Sequence, residues 1–257
     1  LNKLNGNFGV DIKLTDFLKF NATSTLGYTG GSYSHFESMF EGAKVSVNGT
    51  IDKEQYNTIF QNHVQTLTYF DTFGKHSVTA MVGMSYRESN SDNISASSKG
   101  SNILKGYEPN FRYLSYVLGD APKSFSNAPS KSASLAYFGR LIYSYDNRYS
   151  VQANFRADAF DSSKLSAKNR WGYFPSFSLG WTVSNESFVK DNISRSAMSF
   201  LKLRASWGRN GNISVLSGYP YATTISVGNN HYQYDVDHAG SIFSSSPNGL
   251  PNPSLTW

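Results

Sequence analysis

The strictest constraint in this sequence is an alternation of large apolar and small polar residues that recurs along the chain. In the segment YSVQANFRAD, which begins at Tyr149, apolar side chains occupy every second position as far as Ala157. The segment RWGYFPSFSLGW, which begins at Arg170, has a large apolar residue at every second position from Tyr173 to Trp181, and between Phe174 and Thr182 the alternate positions hold only Ser or Gly. Because successive side chains of a β-strand point to opposite faces, a period of two predicts strands with one apolar and one polar face.

The same period predicts about eight strands, most of them about 10 residues long, which is the length of a tilted transmembrane β-strand. The predicted strands cover residues 4–14, 18–26, 59–70, 78–86, 135–145, 149–158, 170–181 and 201–207. No apolar run reaches the 18 or so residues that a membrane-spanning helix needs.

The connections between these strands alternate in length. Short turns are predicted at 15–16, 71–75 and 146–148, and long loops at 29–57, 87–133 and 210–256. The link at 159–170 is intermediate, and the link at 185–200 is long enough to contain a helical turn. Short turns at one end and long loops at the other are typical of an outer-membrane barrel. The sequence therefore predicts an all-β, antiparallel transmembrane β-barrel segment with short periplasmic turns and long extracellular loops.

Such a barrel places the apolar face of each strand against lipid and the polar face toward a water-filled lumen. Tyrosine and tryptophan near both strand ends fit the aromatic girdles at the two membrane–water boundaries. The residues predicted to face lipid are Tyr149, Val151, Phe155, Phe177, Leu179, Trp181 and Trp207.

Composition excludes several other classes of protein. The net charge is +5, and the basic residues are scattered rather than clustered, which argues against nucleic-acid binding. The chain has no cysteine, so it has neither a disulfide framework nor a cysteine metal site. It also has no P-loop, dinucleotide fingerprint or nucleophile elbow, and neither a cofactor nor an enzymatic activity is predicted.

Two groups of residues are candidates for contact with a substrate. Alternation places five charged residues on the inward face: Arg140, Arg156, Asp158, Lys202 and Arg204. They can contact a passing substrate or form a charge network along the lumen wall, and the second interpretation is preferred. Four aromatic residues lie in the 87–133 loop: Tyr107, Phe111, Tyr113 and Tyr116. They can stack on sugar rings or pack against a partner, and packing is preferred.

The segment HYQYDVDH groups two histidines and two aspartates in the last long loop. Its possible metal ligands are His231, Asp235, Asp237 and His238. Their spacing matches no standard zinc or calcium motif, so a polar loop tip is the preferred interpretation and no metal is predicted.

Several motifs resemble one known family. In order along the chain, SLAYFGRLIYSYDNRYSVQANFRADAFDSS, NRWGYFPSFSLGWTVSNESF and FLKLRASWGRNGN are similar to the barrel of SusC-like (RagA/SusC family) TonB-dependent outer-membrane transporters of Bacteroidetes. The final LPNPSLTW resembles the Asn-Pro-x-Leu-x-Trp element that precedes a further strand in that family. The similarity is densest over residues 134–212.

The resemblance implies a barrel of about 22 strands with an N-terminal plug domain. It also implies pairing with a SusD-like surface lipoprotein, import of large nutrients, usually glycans and sometimes peptides, and energy delivered through TonB to the plug. Residues 1–257 would then be a partial TonB-dependent receptor β-barrel domain that lacks the plug and the remaining strands. Its other expected partners are outer-membrane lipid and the rest of the same barrel.

Two alternatives remain open at this stage. An outer-membrane β-barrel enzyme would need a histidine beside a serine or carboxylate at a strand end. His63 and His76 are the histidines in or beside strands, and the sequence gives neither an obvious catalytic neighbour. A small eight-stranded barrel that acts as an adhesin or structural anchor would need its first and last strands to pair with each other.

Overall fold

In the computed structural model, the chain is built almost entirely from antiparallel β-strands. The structure describes residues 1–37, 49–100, 113–117, 122–161, 163–192, 199–213, 216, 218–228, 244–247 and 249–257. The strands are β1 Asn2–Lys13, β2 Leu18–Glu37, β3 Gly49–Phe73, β4 His76–Gly100, β5 Lys123–Asn127, β6 Ser130–Tyr145, β7 Tyr149–Phe160, β8 Trp171–Thr182, β9 Lys202–Gly208, β10 Ile225–Gly228 and β11 Ser244–Pro247. One short helix, α1, covers Ser187–Asn192. Within the described ranges, no helix has the length and apolar character needed to cross a membrane.

The main sheet follows the order of the chain. Its strands are arranged β1-β2-β3-β4-β6-β7-β8-β9, β5 pairs with β4, and β10 and β11 form a separate pair. Neighbours in sequence are therefore neighbours in the sheet, which makes a meander of hairpins. Among the described residues, β1 and β9 stand at the two ends of this order and do not pair with each other. The pairing that a closed eight-stranded barrel requires is thus not formed.

The eight predicted strands are confirmed, but three of them are much longer than predicted. Strands β2, β3 and β4 contain 20, 25 and 25 residues, so they occupy much of the predicted loops 29–57 and 87–133. Strand β5 and the β10–β11 pair were also predicted as loop. The extensions carry polar residues at both odd and even positions, so the period-two hydrophobic signal disappears while the strand continues.

The first of two compact units contains Leu1–Gly9, Thr23–His63 and Arg87–Ser132. Its apolar centre is small: Ile51 and Val117 are buried, and Phe36 and Leu114 pack against them. Strand β5 extends the sheet along the far part of β4. Ser98, which is buried, donates a hydrogen bond of 2.7 Å from Oγ to the carbonyl of Pro122. These contacts fold part of the predicted 87–133 loop onto the strands of this unit.

The second unit contains Val10–Ala22, Val64–Tyr86 and Ala133–Trp257, and it includes the hairpins from β6 to β9. The turn between β6 and β7 has positive φ at Asp146 and Asn147, as a type I′ hairpin turn requires. The Arg148 N–H closes this turn on the Tyr145 carbonyl at 2.9 Å. The tight turn predicted at 146–148 is therefore confirmed.

Candidate functional site

Strands β6 to β9 have one continuous apolar face. Directly opposite residues of an antiparallel pair share a face, and the register aligns Tyr149 with Trp181 and Val151 with Leu179 across β7 and β8. Across β8 and β9 it aligns Phe177 with Trp207, whose rings stack with centroids 6.2 Å apart. The seven residues predicted to face lipid all lie on this face.

These large side chains are exposed, because no other described element covers them. Leu179 is 59% exposed and Trp207 is 61% exposed, although both are apolar. Burial of such a surface away from water contributes about 25 cal/mol per Å², so a face of this size is strongly unfavourable in water. The apolar face therefore matches a hydrocarbon environment.

The opposite face of the same strands carries a hydrogen-bond network centred on Asn154. Arg140 Nε donates to Asn154 Oδ1 at 2.9 Å, and Gln152 Nε2 donates to the same oxygen at 3.0 Å. Asn154 Nδ2 donates in turn to Ser176 Oγ on β8, at 3.0 Å. The network joins β6, β7 and β8 through side chains as well as through their backbones.

A second polar cluster lies further along β7. Arg156 Nε donates to both carboxylate oxygens of Asp158, at 2.8 and 2.9 Å. The guanidinium of Arg156 also lies 5.7 Å from the centre of the Phe138 ring on β6. Arg140, Arg156 and Asp158 thus have partners on their own sheet, whereas Arg204 has none within the described part of the chain.

At the short-turn end, Glu186 joins the turn after β8 to the start of β7. Its carboxylate accepts hydrogen bonds from Tyr149 Oη at 2.6 Å, Arg148 Nη1 at 2.8 Å and Trp181 Nε1 at 2.9 Å. Glu186 is buried, so the three donors replace water around its charge. The 185–200 link, which the sequence shows to be long enough for a helical turn, contains α1, and this helix begins at the residue after Glu186.

The same donors lower the pKa of Glu186. The hydrogen bonds from Tyr149 and Trp181, together with the Arg148 guanidinium, lower it from 4.5 to about 2 despite the opposing effect of burial. Arg148 benefits reciprocally, because its hydrogen bond to Glu186 raises the pKa of the guanidinium. The carboxylate therefore stays charged throughout the neutral range. No sequence pattern indicates this cluster, because its members are separated by up to 38 positions.

The terminal element LPNPSLTW docks at the other end of β8. Trp257 Nε1 donates to the carbonyl of Arg170 at 2.6 Å, and its indole meets the Phe174 ring edge-on at 5.5 Å. Asn169 Nδ2 donates to the Leu255 carbonyl at 2.9 Å. A side chain at Gly172 would collide with the rings of both Phe174 and Trp257, so glycine is needed for this approach.

The structure corrects one expectation about the histidines. His63 has a serine neighbour after all, since Ser24 Oγ lies 2.8 Å from His63 Nδ1. His76 Nδ1 lies 2.7 Å from the Tyr143 hydroxyl and its ring stacks on Phe73. A serine–histidine hydrogen bond occurs both in structural pairs and in nucleophile–base pairs, and it does not by itself define a catalytic site.

The remaining candidates lie in or near the long loops. Tyr113 is exposed beside a short 3₁₀ turn, Leu114–Tyr116. Tyr107, Phe111 and the Tyr116 side chain lie outside the described residues, as do His231, Asp235, Asp237 and His238. Among the residues that are described, no three histidine or acidic side chains converge as a metal site would require.

Known proteins match the whole length of this fold. The structure of the RagAB peptide transporter aligns with 99% of the chain at a TM-score of 0.81 and 23% sequence identity. The RagAB peptide importer in its open-open state aligns equally well. In both cases the chain covers 26% of the matched chain, which establishes a barrel-segment fold.

Sequence comparison identifies relatives of the chain. No protein-family model matches the chain. The TonB-dependent receptor SusC of Bacteroides thetaiotaomicron is 28% identical over 272 aligned residues, which include 100% of this chain. Over its whole length the chain is similar to a segment of SusC-like TonB-dependent receptors. The TonB-dependent receptor P26 of Formosa agariphila is 27% identical, again over 100% of the chain.

The SusC-like segment spans about a quarter of these relatives, 24% of SusC and 25% of P26. The similarity to SusC-like receptors and the fold class are those expected from the sequence motifs and from the alternation. Its fold is that of an outer-membrane β-barrel segment, a class of protein in which hydrocarbon covers the apolar strand faces.

Proposed function

We propose that this SusC-like segment forms part of the wall of an outer-membrane transporter that imports large nutrients, either glycans or peptides. The carrying observation is the pair of opposite faces on β6–β9, one apolar and one lined by a polar network. A wall with lipid on one side and a wide water-filled passage on the other needs both faces. The matched relatives are named as receptors and transporters, which supports transport rather than catalysis.

We further propose that residues 1–257 are one part of the barrel domain, and that the plug domain and the remaining strands lie elsewhere in the same protein. The open order of the sheet supports this assignment, because unpaired backbone groups at β1 and β9 cannot be left in hydrocarbon. Energy would then come through TonB acting on the plug. A SusD-like surface lipoprotein would cap the long-loop side of the barrel.

The direct test is uptake by intact cells. Cells that carry the wild-type gene and cells with an in-frame deletion would receive fluorescent oligosaccharides and fluorescent oligopeptides in parallel. We expect the deletion to abolish the accumulation of one of these two probe classes, and dissipation of the proton gradient to abolish the same signal. The class that is lost identifies the nutrient.

Two results would contradict the proposal. Accumulation of both probe classes that is unchanged by the deletion would exclude the import role. A purified protein that elutes without any lipoprotein, from cells in which other SusC-like proteins retain theirs, would exclude the SusD-like partner. Substitution of Ser24 by Ala serves as a control for catalysis, because transport should not depend on the Ser24–His63 pair.

A further inference from the structure

A cavity of about 470 Å³ opens on the polar face of the sheet where β9 begins. Residues from four adjacent strands, β6 to β9, line it, and its polar side chains come from β7, β8 and β9. The polar ones are Ser150, Gln152, Ser178, Lys202, Arg204 and Ser206. The lining therefore combines two cations with three hydroxyls and one amide, and it contains no carboxylate.

Three other basic residues of this unit are each paired with a carboxylate. Arg156 is paired with Asp158, Arg148 with Glu186, and Lys75 with Asp146. Over the described part of the chain, neither Lys202 nor Arg204 makes an ion pair. They occupy alternate positions on one strand, so they share a face and repel each other. An anion placed between them would remove that repulsion.

Gly180 leaves room for the lining side chains of this cavity because it has no side chain of its own. It lies directly opposite Arg204 in the β8–β9 register. A methyl group in its place would lie 3.0 Å from Lys202 Cε and would collide with Ser150 Oγ. The absence of a side chain lets the lysine stem and the serine hydroxyl approach each other across β8. The donors converge because the middle strand contributes no bulk at this point.

We propose that Lys202 and Arg204, with the surrounding serines and Gln152, form a carboxylate-binding site. A guanidinium presents two parallel donors that match a carboxylate, and an ammonium adds a point charge with freely rotating donors. Serine hydroxyls and the glutamine amide satisfy the remaining oxygen lone pairs. The cavity has room for a carboxylate together with the group that carries it.

The carboxylate can come from two sources, and the site rests on the proposed function because both require this face to line the lumen. One source is the imported nutrient, as an acidic sugar or as the carboxylate of a peptide. The other is an acidic side chain from another part of the same transporter. The chemistry of recognition is the same in both cases.

The test uses the purified full-length transporter and two matched double variants. Lys202→Gln with Arg204→Gln removes the unpaired cations, while Arg140→Gln with Arg156→Gln removes two partnered cations from the same face. Thermal unfolding is measured in sodium citrate and in sodium chloride of equal ionic strength. If the carboxylate belongs to the nutrient, citrate raises the wild-type midpoint saturably, and the first variant shows an apparent Kd raised at least tenfold.

If the carboxylate belongs to the transporter itself, citrate has no effect on the wild type. The first variant then unfolds at a lower temperature than the second in both salts. A protein with Lys202→Arg and an unchanged Arg204 keeps both cations and has the wild-type unfolding midpoint. Equal behaviour of the two double variants in both salts overturns the site. Uptake by cells that carry the wild-type protein is measured separately. If the wild type imports neither probe class while the first double variant still loses the citrate response, the transport role is contradicted and the binding site is retained.

Discussion

The two faces of β6–β9 share the same four strands and the same three backbone ladders, yet different interactions stabilise them. On the apolar face, side chains contact one another mainly through ring stacking, as Phe155 and Tyr173 do at 6.1 Å. On the polar face, Asn154 alone takes part in three side-chain hydrogen bonds. The stability of the apolar face depends on the medium that covers it. On the polar face, the side chains largely satisfy one another's hydrogen bonds. A substitution should therefore have an effect that depends on the face more than on the strand.

The largest expected effect comes from a charge on the apolar face. Phe155 lies in the middle of β7. Phe155→Arg near the bilayer midplane should lower the unfolding free energy of the protein by about 2–4 kcal/mol, because the guanidinium must enter hydrocarbon. Gln152→Arg, on the polar face of the same strand, should change the stability far less. Urea unfolding of the protein in phospholipid vesicles measures both, and equal losses would show that the faces are wrongly assigned.

The second comparison adds only a methyl group. At Gly83 a Cβ would lie 2.7 Å from the Gln65 carbonyl oxygen and 2.7 Å from the Phe138 ring. At Gly139, opposite Phe155 on the apolar face, the nearest atom would be 3.5 Å away. Overpacking of this kind costs about 1–3 kcal/mol, so Gly83→Ala should be destabilising and Gly139→Ala nearly neutral. A reversed order in the same unfolding assay would mean that the close packing lies on the other face.

The third prediction concerns Glu186, which gives two members of the apolar face, Tyr149 and Trp181, a hydrogen-bond acceptor. Its pKa is lowered from 4.5 to about 2, so the stabilisation is present above pH 4.5 and is lost as the pH falls from 4.5 toward 2. Glu186→Gln should lower the thermal midpoint at pH 7, because the buried charge that Arg148 contacts is removed.

Between pH 4.5 and 2, the midpoint of the wild type should fall more steeply than that of Glu186→Gln. Other carboxylates titrate in the same window, so the informative quantity is the difference between the two profiles. Parallel profiles would show that the carboxylate has no special environment. Glu186→Asp provides the control that retains the charge but shortens the reach.

The smallest effect is expected at the Arg156–Asp158 pair on the polar face. Arg156 is half exposed, and exposed ion pairs contribute about 0–1 kcal/mol. Arg156→Gln should therefore change the unfolding free energy by less than about 1 kcal/mol, and less still in high salt. A loss as large as that of Phe155→Arg would mean that the polar face is not in contact with water.

The parts of the fold that could be predicted are those where a single environment acts on one face. In β7 and β8, large apolar residues recur at odd positions, so the strands and their faces can be assigned from the period alone. The period-two hydrophobic signal is lost in the extended parts of β2 to β4. Examples are GGSYSHFE at the end of β2 and GTIDKEQYN at the start of β3, where both faces of the strand are polar. Backbone hydrogen bonds maintain these strands without any pattern that the side chains reveal.

The candidate site was predictable only in part. Alternation placed Arg140, Arg156 and Arg204 on one face, but whether each has a partner there, as Arg140 has in Asn154, depends on the register between strands. The register is set by turn geometry, and a shift of one residue would exchange the two faces. Glu186 escaped prediction because two of its three donors, Arg148 and Tyr149, lie 38 and 37 positions away at the start of β7.

The turn of the β6–β7 hairpin also has a consequence for the order of assembly. The Asp146 N–H donates to the Lys75 carbonyl at 2.7 Å, and the Lys75 ammonium lies 3.3 Å from the Asp146 carboxylate. A hairpin closes in microseconds because its loop is short, whereas the pairing of distant strands must wait for a slower search. Contacts between the turns of two hairpins bring their ends level before the longer strands have paired. We therefore expect insertion into the membrane to proceed by whole hairpins, with mutations at these turns slowing assembly more than they weaken the finished wall.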